Sequence, residues 1–222
     1  MSESRPMTGY PIMLHLQDKP VAVIGGGRVA ARKAKHLRQA GARIYLISPE
    51  ISPSIRGLVN VGDIVWIQSK YERDMFNEYM PILVIAATDD EEVNLRVAQD
   101  AHRIRALCNV ANGSSDNSDF SNMAQIDQPP LTIALSSNNH SPALLRMLKA
   151  KLAQDIGEEY AVLADWLGAL RDEAPAGNGS QPARQGLYEA ILNSDVLALL
   201  RAGKRTEARR IFDRVVLEGS PK

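Results

Sequence analysis

Short, continuous apolar runs alternate with stretches of helical period through the first half of this chain. The runs at 20–25, Arg43 to Ser48, Ile64 to Ile67, Ile82 to Ala87 and Ala106 to Val110 predict strands. Ile82 to Ala87 is apolar throughout, as a central parallel strand buried on both faces requires. Tyr10 to Leu16 is a further short apolar run, joined to the next by the turn Gln17-Asp18-Lys19-Pro20. Between the strands, Arg28 to Gln39 is rich in good helix formers and would turn Val29, Ala30, Ala34 and Leu37 to a sheet. Gly41 ends that helix as a C-terminal cap. Pro49, Ser52 and Pro53 break the pattern, Tyr71 to Phe76 opens a loop or short helix, and Glu91 to Arg103 is an amphipathic helix. Strands and helices alternating at this spacing predict a parallel, doubly wound sheet.

The pattern changes at residues 112–122, where Phe120 is the single apolar residue, and a domain boundary is expected there. Leu131 to Leu135 predicts a strand of a second unit. Ser141 and Pro142 form a helix start, cap and first position, with Leu144, Leu145, Leu148 and Leu152 along one face. A helix follows over 158–171, then a linker at 174–182, then helices over 184–201 and 204–217.

Composition narrows the function classes. The 222 residues carry 26 Lys+Arg against 26 Asp+Glu, so the balanced charge gives no basic footprint for nucleic acid. The single cysteine, Cys108, excludes an internal disulfide and fits a reducing compartment. There is no signal-peptide pattern and no apolar run of the roughly 18–20 residues that a membrane helix needs. The expectation is a cytoplasmic protein without membrane or nucleic-acid partners.

The strand at 20–25 runs into three glycines and then a helix, giving G-x-G-x-x-A at Gly25, Gly27 and Ala30. Gly25 permits the sharp turn, Gly27 lets the backbone approach a pyrophosphate, and Ala30 lets the helix pack close to its strand. The N–H groups of the first helical turn, at Arg28 and Val29, then face the phosphates. A glycine turn serving structure alone is the plainer alternative. The second strand would end at the adenine ribose. There Glu50 offers an acceptor for a 2′-hydroxyl, although it lies late, and Ser48 with the backbone near Pro49 is the alternative. No arginine directly follows the strand to favour a 2′-phosphate, so NAD is expected over NADP. Thr88 would lie beside the cofactor, while Asp89 or Asp90 caps the following helix.

The stretch G-G-G-x-V-A-x-R-K at 25–33 resembles the N-terminal signature of the precorrin-2 dehydrogenase and sirohydrochlorin ferrochelatase family of siroheme synthesis. Tyr10 to Leu16 resembles that family's opening strand, Ala86-Ala-Thr-Asp-Asp90 with Val93-Asn94 its A-A-T-D-D-x-x-V-N element, and Cys108-Asn-Val110 its C-N-V element. Ser136-Ser137 with Ser141-Pro142 resembles its S-S-G-G-x-S-P element, and the likeness covers roughly residues 9–152. The resemblance implies a Rossmann-like parallel sheet domain over 1–113, a small α/β dimerisation segment over 114–152 and a helical C-terminal domain over 153–222. It also implies a homodimer that oxidises precorrin-2 to sirohydrochlorin with NAD. Some members of the family insert Fe2+ as well.

Two departures matter. The family carries an aspartate after C-N-V-x, implied to act as general base or metal-handling group, and this chain has Asn112. Asp116 and Asp119 lie in the following loop, which is slightly longer than the family pattern, and either is a candidate for the vacated role. The alternatives are a site that works by orientation without a strong base, and a weakened one. Asn138-Asn139 replaces the family's glycine pair, in a turn where asparagine tolerates left-handed backbone. Ser137 and His140 would touch the substrate, with His140 a hydrogen-bond donor for a carboxylate or else a plain surface residue. The tetrapyrrole would lie between Thr88, Asn112 and the loop at 136–140. The four histidines and Cys108 show no ligand spacing, so no pre-built metal site is expected. A chelatase, a weakened relative and a non-catalytic NAD(H)-sensing module are the rival readings.

Overall fold

The computed structural model describes residues 9–111, 117–138, 140–173 and 181–219. The chain divides into two compact units, Met1–Asn122 and Met123–Lys222.

In the first unit, β1 (Pro20–Ile24), β2 (Arg43–Ile47), β3 (Ile64–Ile67), β4 (Leu83–Ala86) and β5 (Leu107–Val110) form one parallel sheet of order β3-β2-β1-β4-β5. The helices α1 (Arg28–Gln39), α2 (Pro53–Asn60), α3 (Met75–Tyr79) and α4 (Glu91–Arg103) lie between successive strands in the chain. The chain winds outward from β1 to β3 and then crosses back to β4, so the order reverses between β1 and β4. Ligands of open α/β sheets bind at the carboxyl ends of the strands where such a reversal occurs. The register aligns those ends, with Ile24 beside both Ile47 and Ala86.

Alternation along the strands makes two cores, one on each face. Val21, Val23, Ile44, Leu46 and Ile85 pack with Ala30, Ala34 and Ile55 on the α1–α2 face. Ala22, Ile24, Val84 and Cys108 pack with Phe76, Val97 and Ala101 on the other. The small buried residues Ala30 and Ala34 allow α1 to lie close to the sheet. Each fully buried Val, Leu or Ile contributes roughly 1.5–3 kcal/mol.

The structure departs from the sequence expectations in several places. Tyr10 to Leu16 is not a strand. No neighbouring strand pairs with it among the described residues, and Tyr10, Ile12, Met13 and Leu14 are exposed. Pro53, read as a break, instead starts α2, because its fixed φ and missing N–H suit a first helical turn. The strand β6 (Ala124–Gln128), which carries one buried residue and so a weak signal, pairs antiparallel with β7 (Leu131–Leu135).

The second unit continues through α5 (Pro142–Asp155), α6 (Glu158–Glu173), α7 (Gln181–Leu192), α8 (Val196–Arg201) and α9 (Arg205–Gly219). The single helix expected over 184–201 is two. Ser194 donates to the Ile191 carbonyl at 2.7 Å and accepts from Val196 N, ending one helix and starting the next. Leu163, Trp166, Ile191, Val196, Ala208 and Phe212 form this unit's core, with the Trp166 and Phe212 rings 5.4 Å apart, edge to face. Ser141 caps α5 by accepting from Leu144 N, yet α5 buries none of its residues.

Candidate functional site

The glycine turn leaves β1 at Ile24, and Gly25 N donates to the Ile47 carbonyl at 3.0 Å. Gly25 has φ +119°, and a Cβ there would overlap the Ala87 carbonyl oxygen. Only glycine fits that backbone and that approach. A Cβ on Gly26 would overlap the Glu50 carbonyl oxygen and lie 2.7 Å from Ser48 Oγ. The Gly26 carbonyl in turn accepts from Ser52 N at 2.8 Å, so the segment after β2 packs directly on the turn.

Gly27 differs. Its φ of −82° is open to any residue, and a Cβ there would meet no atom within 4 Å. It precedes α1 without a side-chain cap, and the first turn of α1 holds no acidic residue. The N–H groups of that turn have no capping side chain, and the helix dipole there favours an anion. Arg28 is exposed beside them and Val29 is half-buried against the core. The free space and the free N–H groups fit a dinucleotide pyrophosphate.

At the end of β2, Ser48 is buried and its hydroxyl donates to the Glu50 carbonyl at 2.6 Å, while its own carbonyl accepts from Trp66 Nε1 at 2.9 Å. Ser48 thus shapes the turn, and Pro49 and Glu50 present the exposed surface. The Arg56 guanidinium lies 5.6 Å over the Trp66 ring. An arginine therefore approaches this edge through α2, although none directly follows the strand.

After β4, Thr88 is fixed by a residue that sequence reasoning left without a role. Buried Asn94 accepts from Thr88 N at 3.1 Å and Thr88 Oγ1 at 2.8 Å, and donates to the Thr88 carbonyl at 3.0 Å. A polar residue on the inward phase of an amphipathic helix was the available signal. Asp90, of the two aspartates, caps α4 by accepting from Val93 N.

At the end of β5, the segment after the loop returns to the sheet edge. Cys108 N donates to Asp119 Oδ2 at 2.8 Å, Asp119 N to the Cys108 carbonyl at 2.8 Å, and Val110 N to Ser118 Oγ at 2.9 Å. His102 Nε2 lies 3.0 Å from the same Asp119 oxygen. Asn109 Nδ2 donates to the Phe120 carbonyl at 2.9 Å, and Asn109 Oδ1 accepts from Lys33 Nζ at 3.0 Å. Lys33 also donates to Asn122 Oδ1. Burial first, and then the neighbouring Arg32 charge, lower the Lys33 pKa. Burial, with help from Asp119, pushes the Cys108 thiol up to about 12. Asn112 and Asp116 lie outside the described residues.

In the second unit, Ser137 Oγ accepts from Ser141 N at 3.1 Å, and Asn138 has the left-handed φ of +47° expected of this turn. The His140 ring Nδ1 lies 2.9 Å from the Ser137 carbonyl, so that nitrogen donates locally and Nε2 is the end left for other work. Asn139 lies outside the described residues.

Residues 12–123 match the model of a family described as putative NAD(P)-binding. Residues 159–215 match a sirohaem synthase dimerisation region. Siroheme synthase 3 of Aeromonas hydrophila is 34% identical over 215 residues, which cover 96% of this chain and 45% of the relative. Siroheme synthase 1 of Aeromonas salmonicida is 34% identical over 213 residues, with the same shares. The chain thus spans less than half the length of these curated relatives. The solved structure of SirC, precorrin-2 dehydrogenase, aligns with a TM-score of 0.72 at 25% identity, covering 93% of this chain and 100% of that one. Among the described residues, no helix is long and apolar enough to cross a membrane.

Proposed function

We propose a function from one premise: the chain belongs to the family described as putative NAD(P)-binding and is similar to siroheme synthases. Its reaction is the NAD-dependent oxidation of precorrin-2 to sirohydrochlorin. NAD+ bound at the strand ends supplies the hydride acceptor. The observation that carries this reading is Gly27, a glycine that neither its backbone angles nor its protein neighbours require. Its reason lies outside the chain, in the bulk of a pyrophosphate at the α1 N-terminus.

Gly25, Gly27, Arg28 and Val29 hold the pyrophosphate, with the N–H groups of the turn as donors. The surface made by Pro49 and Glu50, shaped by Ser48, receives the adenine ribose, and Thr88 borders the cofactor where Asn94 fixes it. Ser137 and His140 bind substrate carboxylates. Proton removal falls to the neighbourhood of Asn112, with Asp116 and Asp119 as the carboxylate candidates.

The protein acts as a homodimer. The match to a dimerisation region supports this, as does α5, which buries none of its residues and exposes Leu144 and Met147. A cytoplasmic setting suits the single free thiol and a nicotinamide cofactor. Fe2+ insertion into the product is a second activity to be read in the same assay.

Anaerobic incubation with precorrin-2 and NAD+ should yield NADH and the absorbance of sirohydrochlorin together. NADH binding without turnover would instead favour a sensing module. Added Fe2+ should then produce the siroheme spectrum if the chain is bifunctional.

A further inference from the structure

We propose that Lys33 is a positioning residue for the β5 side of the crevice, tying helix α1 to the open-edge strand through Asn109 and Asn122. The inference rests on the dinucleotide-dependent reading above. It begins with the sheet edge. β5 is the last strand of the sheet, and its outer N–H and carbonyl groups have no sixth strand to pair with. Unpaired backbone groups at a buried edge are costly. Here the segment at Ser118 and Asp119 takes the place of that strand, with Asp119 N donating to the Cys108 carbonyl. Asp119 and Ser118 accept from Cys108 N and Val110 N, as backbone carbonyls would.

The strap at 118–122 is held from both faces. Cys108 and Val110 turn their side chains into the α4-side core, and on that side His102 of α4 meets Asp119. Asn109, between them, faces the opposite way, toward α1, where Phe120 also packs. An asparagine at that alternation and a lysine on the sheet-facing side of α1 occupy places where apolar residues would pack more simply. A half-buried ammonium costs solvation, and its partners are neutral amide oxygens that do not cancel its charge. Every polar atom of the Asn109 side chain is engaged. Lys33 holds its oxygen, and its amide nitrogen holds the Phe120 carbonyl. Lys33 therefore orients Asn109, Asn109 orients the strap, and Asn122 gives Lys33 a second, direct hold.

The contacts that shape the glycine turn are separate. They run to Ile47, Ser52 and Ala87. Loss of the Lys33 tie should therefore disturb the β5 end while leaving the pyrophosphate cradle intact.

The test compares Lys33→Met, Lys33→Arg and Asn122→Ala in the full chain. The last removes an exposed partner and carries little folding risk. NADH affinity should stay within twofold in all three. Amide exchange at 106–111 should quicken in Lys33→Met and less in Asn122→Ala, and Lys33→Arg should restore part of the protection. With precorrin-2, kcat should fall at least tenfold in Lys33→Met, and Asn109→Ala should add nothing further in the double variant. Unchanged exchange in Lys33→Met overturns the tie. A parallel loss of NADH affinity and kcat overturns the positioning role, since it would make Lys33 part of the cofactor cradle. A wild-type chain that binds NADH but does not oxidise precorrin-2 defeats the proposed reaction alone, and the exchange measurements still judge the tie.

Discussion

Gly27→Val separates what the protein needs from what its ligand needs. The backbone at Gly27, φ −82° and ψ −171°, is extended and open to a β-branched residue. No protein atom lies within 4 Å of the added Cβ. The cost to folding is then limited to a poorer residue before α1, about 1 kcal/mol. For a chain of this size that corresponds to roughly 2–4 °C in Tm. The branched side chain would fill the space ahead of the first-turn N–H groups, so NADH affinity should fall at least tenfold, about 1.4 kcal/mol. Gly26→Ala is the opposite control. Its Cβ would lie 2.7 Å from Ser48 Oγ and 2.9 Å from the Glu50 carbonyl carbon, and would overlap the Glu50 oxygen. Because these are mostly backbone atoms of a packed turn, the cost to stability is expected at about 1–3 kcal/mol. Calorimetric titration with NADH, alongside thermal melts, reads both effects. A folded Gly27→Val protein that binds NADH within twofold of wild type would refute the argument that the glycine serves the cofactor.

NAD+ should give a higher kcat/KM than NADP+, because Glu50 is exposed at the ribose edge; the reverse order would point to Arg56 as the reader of that edge. Asn112→Asp should raise dehydrogenase activity if nothing has replaced the family carboxylate, since a positioned acid–base group typically contributes about 10²–10⁴-fold; if Asp116 has replaced it, Asp116→Ala should lose most activity and Asn112→Asp should change little. Asp119→Asn keeps an oxygen for Cys108 N and removes basicity, so a retained Tm with lost turnover would mark Asp119 as the proton acceptor, and retained turnover would mark it as structural. With its pKa pushed up to about 12, the Cys108 thiol is about one part in 10⁴ thiolate at pH 8, so thiol-specific reagents should label it only on unfolding.

The parts legible in the sequence are those set by neighbours along the chain. Gly25, Gly27 and Ala30 announce their turn by spacing, and the run ending at Ala87 announces a buried strand by its unbroken apolarity. Ser141 declares itself as a cap, and the pair Asp89 and Asp90 as holding one, because a cap is a local contact. The run at Tyr10 to Leu16 misled because an apolar run becomes a strand only where a neighbour can pair with it. β6 escaped notice because a lightly buried hairpin strand carries little apolar signal. The Lys33–Asn109 contact joins residues 76 apart in sequence, and no local period encodes it. Asn94 was visible within a motif, but its function as the clamp on Thr88 exists only once β4 and α4 are folded together.

The same distinction bears on which carboxylate removes a proton. Read along the chain, Asp116 and Asp119 are equivalent substitutes for the missing family aspartate. In the fold, Asp119 stands in for the backbone of an absent strand. Cys108 N and His102 Nε2 both engage its Oδ2, so a proton would be taken on Oδ1, and the neutral carboxyl would accept from both groups more weakly than the carboxylate does. The weakened His102 contact is exposed and worth at most about 1 kcal/mol. Proton transfer through Asp119 would thus weaken its hold on the edge strand at each turnover. A group with a structural bond of this kind serves better as an anchor, which shifts the acid–base role toward Asp116 or toward a site where orientation of the substrate against the cofactor does the work.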